Sequence, residues 1–133
     1  MWSLSGGPIS WLVKKQNCIA LSTTEAEYVA LMRTIQEGLW LHQSLVQFQV
    51  DCPLPLVIST DNNGAKSLSA NDSNHGKAKH IDIRYHFIRS HIESNSFIVQ
   101  HTPGVENTAD LFTKPLSHII FQSHVAHLRL SVC

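Results

Sequence analysis

The sequence predicts an α/β fold in which a mixed sheet carries helices packed against it. Three observations point there. Two short apolar runs, LVIST at 56–60 and FIVQHT at 97–102, have strand length and end at turn residues. Two longer segments repeat apolar residues at helical spacing. Extended runs pair up near the start, whereas strands and helices alternate later, so antiparallel pairing precedes α/β crossovers. All 133 residues are read as one domain, 1–133.

The elements follow in order. PISWLVKKQNCIAL, 8–21, reads as two extended runs around the polar turn Lys14-Lys15-Gln16-Asn17, a hairpin. In the long helix that follows, Tyr28, Met32, Ile35, Leu39 and Leu45 fall near one face, with Leu31 and His42 on its flank. Residues 50–55, with Asp51, Pro53 and Pro55, connect it to the buried strand LVIST. Asp61-Asn62-Asn63-Gly64 is a turn or helix start, 65–70 a short helix, and 71–76 a loop. HIDIRYHFIRSHIES then spaces Ile81, Tyr85, Ile88 and Ile92 as a second amphipathic helix. After the strand 97–102, Pro103-Gly104 is a break. Asn107 caps a helix holding Ala109, Asp110 and Leu111, which Pro115 stops, and 117–130 is helical.

Composition bounds the function. Hydrophobic residues make up 43% and charged residues 15%, so the chain is globular. A formal net charge of zero argues against a strongly basic nucleic-acid binder and leaves room for a local basic face. Cys18, Cys52 and Cys133 are odd in number and far apart, which suits free thiols in a reducing compartment. With no signal-peptide pattern and no apolar run of membrane length, the expectation is a soluble intracellular protein, not secreted and without a membrane partner.

Three carboxylates stand out. Ser22 and Glu25 form the S-x-x-E pattern of a capping box, which accounts for Glu25. Glu27 lies beside the apolar stripe and reads either as a solvated helix residue or as a functional carboxylate. Asp61 directly follows a strand, where ligands gather in α/β sheets, and reads equally as a helix cap. Asp110 lies one turn into a helix start. Together they suggest an acidic cluster at one sheet edge, of the kind magnesium requires.

ISWLVKKQNCIALSTTEAEYVAL, STDN, KHIDIRYHFIRSHIE and HTPGVENTADLFTKPL, in that order, resemble the RNase H domain of copia-type retrotransposon polyproteins. The resemblance runs from about Gly6 to the C-terminus. It implies a ribonuclease H-like mixed sheet with flanking helices and hydrolysis of RNA in RNA–DNA hybrids. It also implies two Mg2+ (or Mn2+) ions on acidic residues, which fall motif by motif on Glu27, Asp61 and Asp110. Glu25 is then the cap and Glu27 the ligand.

The family pattern also has an earlier strand with a first catalytic aspartate, upstream of the position matching Gly6. The chain is therefore expected to be N-terminally truncated, with the central first strand missing and metal binding and catalysis weakened. Unpaired interior edges are costly and invite pairing with another chain. A homo-oligomer, or a protein partner at an open sheet edge, is expected.

For nucleic-acid contact the candidates are Asn62 and Asn63 beside Asp61, and the basic set Lys77, Lys79, His80 and Arg84, with Arg89 and His91 further along the helix. His101 reads as a surface histidine or an aid to proton transfer. His124 and His127 lack the further ligands of a zinc site. Two functions remain. One is a retrotransposon-derived ribonuclease H impaired by the missing aspartate. The other is a non-catalytic module that binds nucleic acid or protein.

Overall fold

The computed structural model describes residues 1–16, 20, 22–61 and 79–129, the side chains of 24 and 79–82 excepted. The fold is mixed α/β, with two small sheets and three α-helices among the described residues. It gathers into two compact units: Gln16–His101, and Met1–Lys15 with Thr102–Cys133.

In the unit Gln16–His101, α1 (Thr23–Gln47) starts where the sequence signals it. Ser22 is extended, and its hydroxyl accepts from the Glu25 N–H at 3.1 Å, the cap contact expected of a capping box. At about 1.5 Å per residue α1 is long enough to span a small domain. Its buried residues are Tyr28, Val29, Leu31, Ile35 and Gly38, so the face turns toward Leu31 and Gly38 from the expected Met32 and Leu39, which are half-buried. The helix ends in a Schellman turn. Gln49, at φ 58°, takes the left-handed position, and Val50 N–H reaches back to Leu45 O at 2.9 Å. His42 Nε2–H then ties the connector down by donating to Cys52 O at 3.0 Å.

β3 (Leu56–Thr60) occupies the residues expected for it and pairs in parallel with β4 (Phe97–His101), Leu56 opposite Phe97 and Thr60 opposite His101. The crossover between them carries α2 (Lys79–Glu93), which packs against both α1 and β4. Ile35, Ile88, Ile58 and Phe97, one from each element, are buried and form the core. Tyr28 and Tyr85 meet edge to face across α1 and α2 at 6.3 Å. The short helix and loop expected between 62 and 78 lie outside the described residues.

In the other unit, β1 (Trp2–Leu4) and β2 (Gly7–Ser10) pair antiparallel. Their turn is Ser5-Gly6, ahead of the hairpin expected at 8–21; of that hairpin, 11–16 lie in no strand, while 17–19 and 21 lie outside the described residues. Backbone twist favours the Ser5-Gly6 turn. Ser5 (φ 52°) and Gly6 (φ 82°) both have the positive φ of a type I′ turn, which matches the twist of the strands it joins. Past β4 come two 3-10 segments, Gly104–Glu106 and Thr108–Phe112, the second standing where a helix holding Ala109, Asp110 and Leu111 is expected. Asn107 caps the second as anticipated, its Oδ1 accepting from Ala109 N–H at 3.3 Å. α3 (His118–His127) follows Pro115 and packs on the second 3-10 segment, with His124 and Leu128 buried.

The expectation is a mixed sheet without its central first strand; among the described residues the strands form two two-stranded sheets, one antiparallel and one parallel. Each strand of the parallel pair therefore has an outer edge that no described strand covers, and Val57 and Ile98, opposite in register, leave apolar surface exposed.

Candidate functional site

Glu27 sits in the second turn of α1, half-buried and next to the buried Tyr28. Its position follows from the Ser22 cap, which sets the helix phase and puts Glu27 on the border of the packed face. Asp61 is exposed and immediately follows β3. Because Thr60 pairs with His101, Asp61 and His101 mark the carboxyl end of the parallel pair, where α/β folds collect ligands.

Asp110 is different. It lies in the 3-10 segment after Asn107 and is only 8% exposed. A buried carboxylate must be neutralised or hydrogen-bonded, and this one is both. Lys114 Nζ, one α-turn further along the chain, sits 3.0 Å from Oδ2. Asn107 Nδ2 donates to Oδ1 at 3.4 Å. Asn107 thus works twice, capping with its oxygen and orienting Asp110 with its nitrogen. Lys114 is a functional neighbour with a sequence signal of its own: an acid followed four residues later by a lysine is a recognisable pairing pattern.

A hard divalent cation needs several converging oxygens with lone pairs to give. The donor chemistry of Glu27, Asp61 and Asp110 is right. As arranged, however, both Asp110 oxygens already have protein partners, and among the described residues no three His, Cys, Asp or Glu side chains are placed to hold a metal ion.

Asn62, Asn63 and Lys77 lie outside the described residues. Lys79 and His80 are placed only as the first turn of α2. Arg84 is half-buried. Arg89 is paired with Glu93 (Nε to Oε1, 2.6 Å), an exposed helical pair of small energetic weight. His91 packs edge-on against Phe87 (4.7 Å) and Phe97 (6.1 Å), a role in packing that the sequence did not suggest. His124 is buried while His127 is exposed, so the two do not share an environment. No helix among the described residues is long and apolar enough to cross a membrane.

No protein-family model matches the chain. No solved structure matches it either. Curated relatives do. The chain is 42% identical over 114 residues, 86% of its length, to the retrovirus-related Pol polyprotein from transposon TNT 1-94 of Nicotiana tabacum. It is 41% identical over 87% of its length to that from transposon RE2 of Arabidopsis thaliana, and 40% identical over 91% to that from RE1 of the same plant. The matched region is 8% of each relative, so the chain spans a small part of the polyproteins it matches. Homology at this level along most of the chain supports a retrotransposon-derived domain, similar to one short stretch of a Pol polyprotein.

Proposed function

We propose that the chain is a retrotransposon-derived ribonuclease H-like protein that acts on RNA–DNA hybrids, with hydrolysis of the RNA strand impaired. Its motifs resemble the ribonuclease H domain of copia-type elements, and its curated relatives are transposon Pol polyproteins. Glu27, Asp61 and Asp110 are the residues proposed as catalytic and metal-binding, with Mg2+ or Mn2+ as the ion. Asn62, Asn63, Lys77, Lys79, His80 and Arg84 are the proposed hybrid contacts, and the open edges of the parallel pair are where a second copy or another protein would add.

One observation supports impaired hydrolysis. The Asp110 carboxylate, central to the proposed site, already has a cation at 3.0 Å in Lys114. A divalent ion there has to compete with a tethered ammonium group. The same observation favours the second reading, a non-catalytic module that binds nucleic acid or protein. Both readings meet the same first test. The chain is titrated against an RNA–DNA hybrid and the matching DNA duplex at several salt concentrations. A hybrid preference with a steep salt slope is expected, since shape and 2′-hydroxyls are read alongside phosphate. Equal, weak binding of both duplexes removes the hybrid reading.

A further inference from the structure

We propose that Trp11 and Phe112 form a stacking platform for an unpaired nucleotide base, with Lys14 and Lys15 engaging the phosphates beside it. The two rings belong to one compact unit and lie nearly parallel, 15° between planes, with centroids 6.2 Å apart. Phe112 is half-buried in the 3-10 segment behind Asn107, which gives the stack a fixed base. Trp11 is nonetheless 56% exposed. Tryptophan is a costly residue to leave in water, and on average it is well buried. Here one face rests on Phe112 and much of the ring remains open, a flat aromatic surface on the scale of a nucleobase.

Charge selects the partner. Residues 1–24 contain no acidic side chain, and Lys14 and Lys15, three and four residues after Trp11 beyond the exposed Leu12 and Val13, are exposed. The unit that holds the stack has four basic residues, Lys14, Lys15, Lys114 and Arg129, against two acidic ones, Glu106 and Asp110. Asp110 is already neutralised by Lys114. The rest of the chain has six basic and eight acidic residues, so positive charge is gathered on this unit although the whole chain is neutral. An open aromatic face with exposed lysines close to it in the chain is a pattern by which proteins hold single strands: bases stack and phosphates pair. Bases inside a duplex or hybrid are already stacked on each other, so the platform selects unpaired nucleotides, such as an overhang.

The proposal rests on the nucleic-acid part of the functional reading but not on cleavage or on hybrid recognition. It is tested on the full chain by fluorescence anisotropy with labelled oligo(dT), a blunt RNA–DNA hybrid, and the same hybrid with a single-stranded overhang. Trp11→Ala is expected to weaken oligo(dT) and overhang binding about 5- to 150-fold, the range for loss of one stacked base. Trp11→Phe retains most of the affinity, and a matching far-UV spectrum shows that the fold persists. Trp40→Ala, which removes an equally exposed tryptophan on α1 (60%), leaves binding unchanged. Lys14→Ala with Lys15→Ala lowers the salt slope by about 1.4, at roughly 0.7 per phosphate contact on single strands.

Equal affinity of Trp11→Ala and wild type for oligo(dT) overturns the platform. So does an absence of oligo(dT) binding, including the case where Trp11→Ala instead disperses self-association, which would assign the exposed ring to a protein contact. Trp11-dependent oligo(dT) binding without binding of the blunt hybrid upholds the platform and removes the hybrid reading. The reverse pattern removes the platform alone.

Discussion

Replacing Lys114 by methionine isolates the contact on which the impaired reading depends. Methionine keeps the length of the stem and removes the charge, leaving the Asp110 carboxylate with the Asn107 amide alone. The side chain of Lys114 is 55% exposed and that of Asp110 11%, so the pair is neither a surface bridge nor a buried one. Exposed pairs are worth about 0.2–1 kcal/mol, and removing one partner of a buried pair costs about 3–5 kcal/mol. The half-exposed lysine places this loss at about 1–2 kcal/mol. It is measured by urea unfolding of wild type, Lys114→Met, Asp110→Asn and the double variant. The cycle should return a coupling of at least about 0.5 kcal/mol, the lower end for contacting residues. Magnesium should then recover part of the stability lost in Lys114→Met while leaving wild type unmoved, because the freed carboxylate can accept an ion. Zero coupling, together with no magnesium effect on the variant, would refute the argument that Lys114 occupies the place of a metal.

Three further outcomes follow from local geometry. Gln49→Gly should stabilise the chain by about 1 kcal/mol in urea unfolding, because position 49 is left-handed and glycine adopts that conformation without strain. Gly6→Ala should destabilise by about 1–2 kcal/mol, mainly through its φ of 82°, and its Cβ would also meet the Arg129 guanidinium at 3.0 Å. Tyr28→Phe should stabilise by about 1 kcal/mol near neutral pH, since the Tyr28 hydroxyl is buried with no hydrogen-bond partner. Burial, with Tyr85 adding to it, also raises the Tyr28 pKa well above the ordinary tyrosine value. The unfolded tyrosine loses its proton near pH 10 while the folded one holds it, so stability is complete below about pH 10 and falls as pH rises further. That alkaline decline should be shallower in Tyr28→Phe.

Much of this fold was legible where one local signal dominates. LVIST could only be a short strand, although Ile58 is its one buried residue and Val57 is exposed, and the Ser22 and Asn107 caps marked their starts because a side-chain oxygen has to satisfy a free N–H. The helix ends were not legible. They close through left-handed Gln49, Asn95 and Arg129, where no glycine announces the turn. The Ser5-Gly6 hairpin was not legible because the polar run Lys14–Asn17 drew the turn there, whereas Ser5 and Gly6 take the positive φ that suits strand twist. At the candidate site, the sequence supplied the acidic residues but not their partners. Lys114 on Asp110 depends on the α-turn in which Lys114 N–H donates to Asp110 O at 3.0 Å, and the Trp11–Phe112 stack joins residues distant in sequence.

The most direct test of the central claim is cleavage of an end-labelled RNA paired with DNA, by the full chain in Mg2+ and in Mn2+, alongside Asp61→Asn. The account predicts slow, metal-dependent cutting that Asp61→Asn abolishes and that Lys114→Met reaches at lower metal concentration. Cutting that Asp61→Asn leaves intact, or rapid cutting at low metal with Lys114 in place, would contradict it.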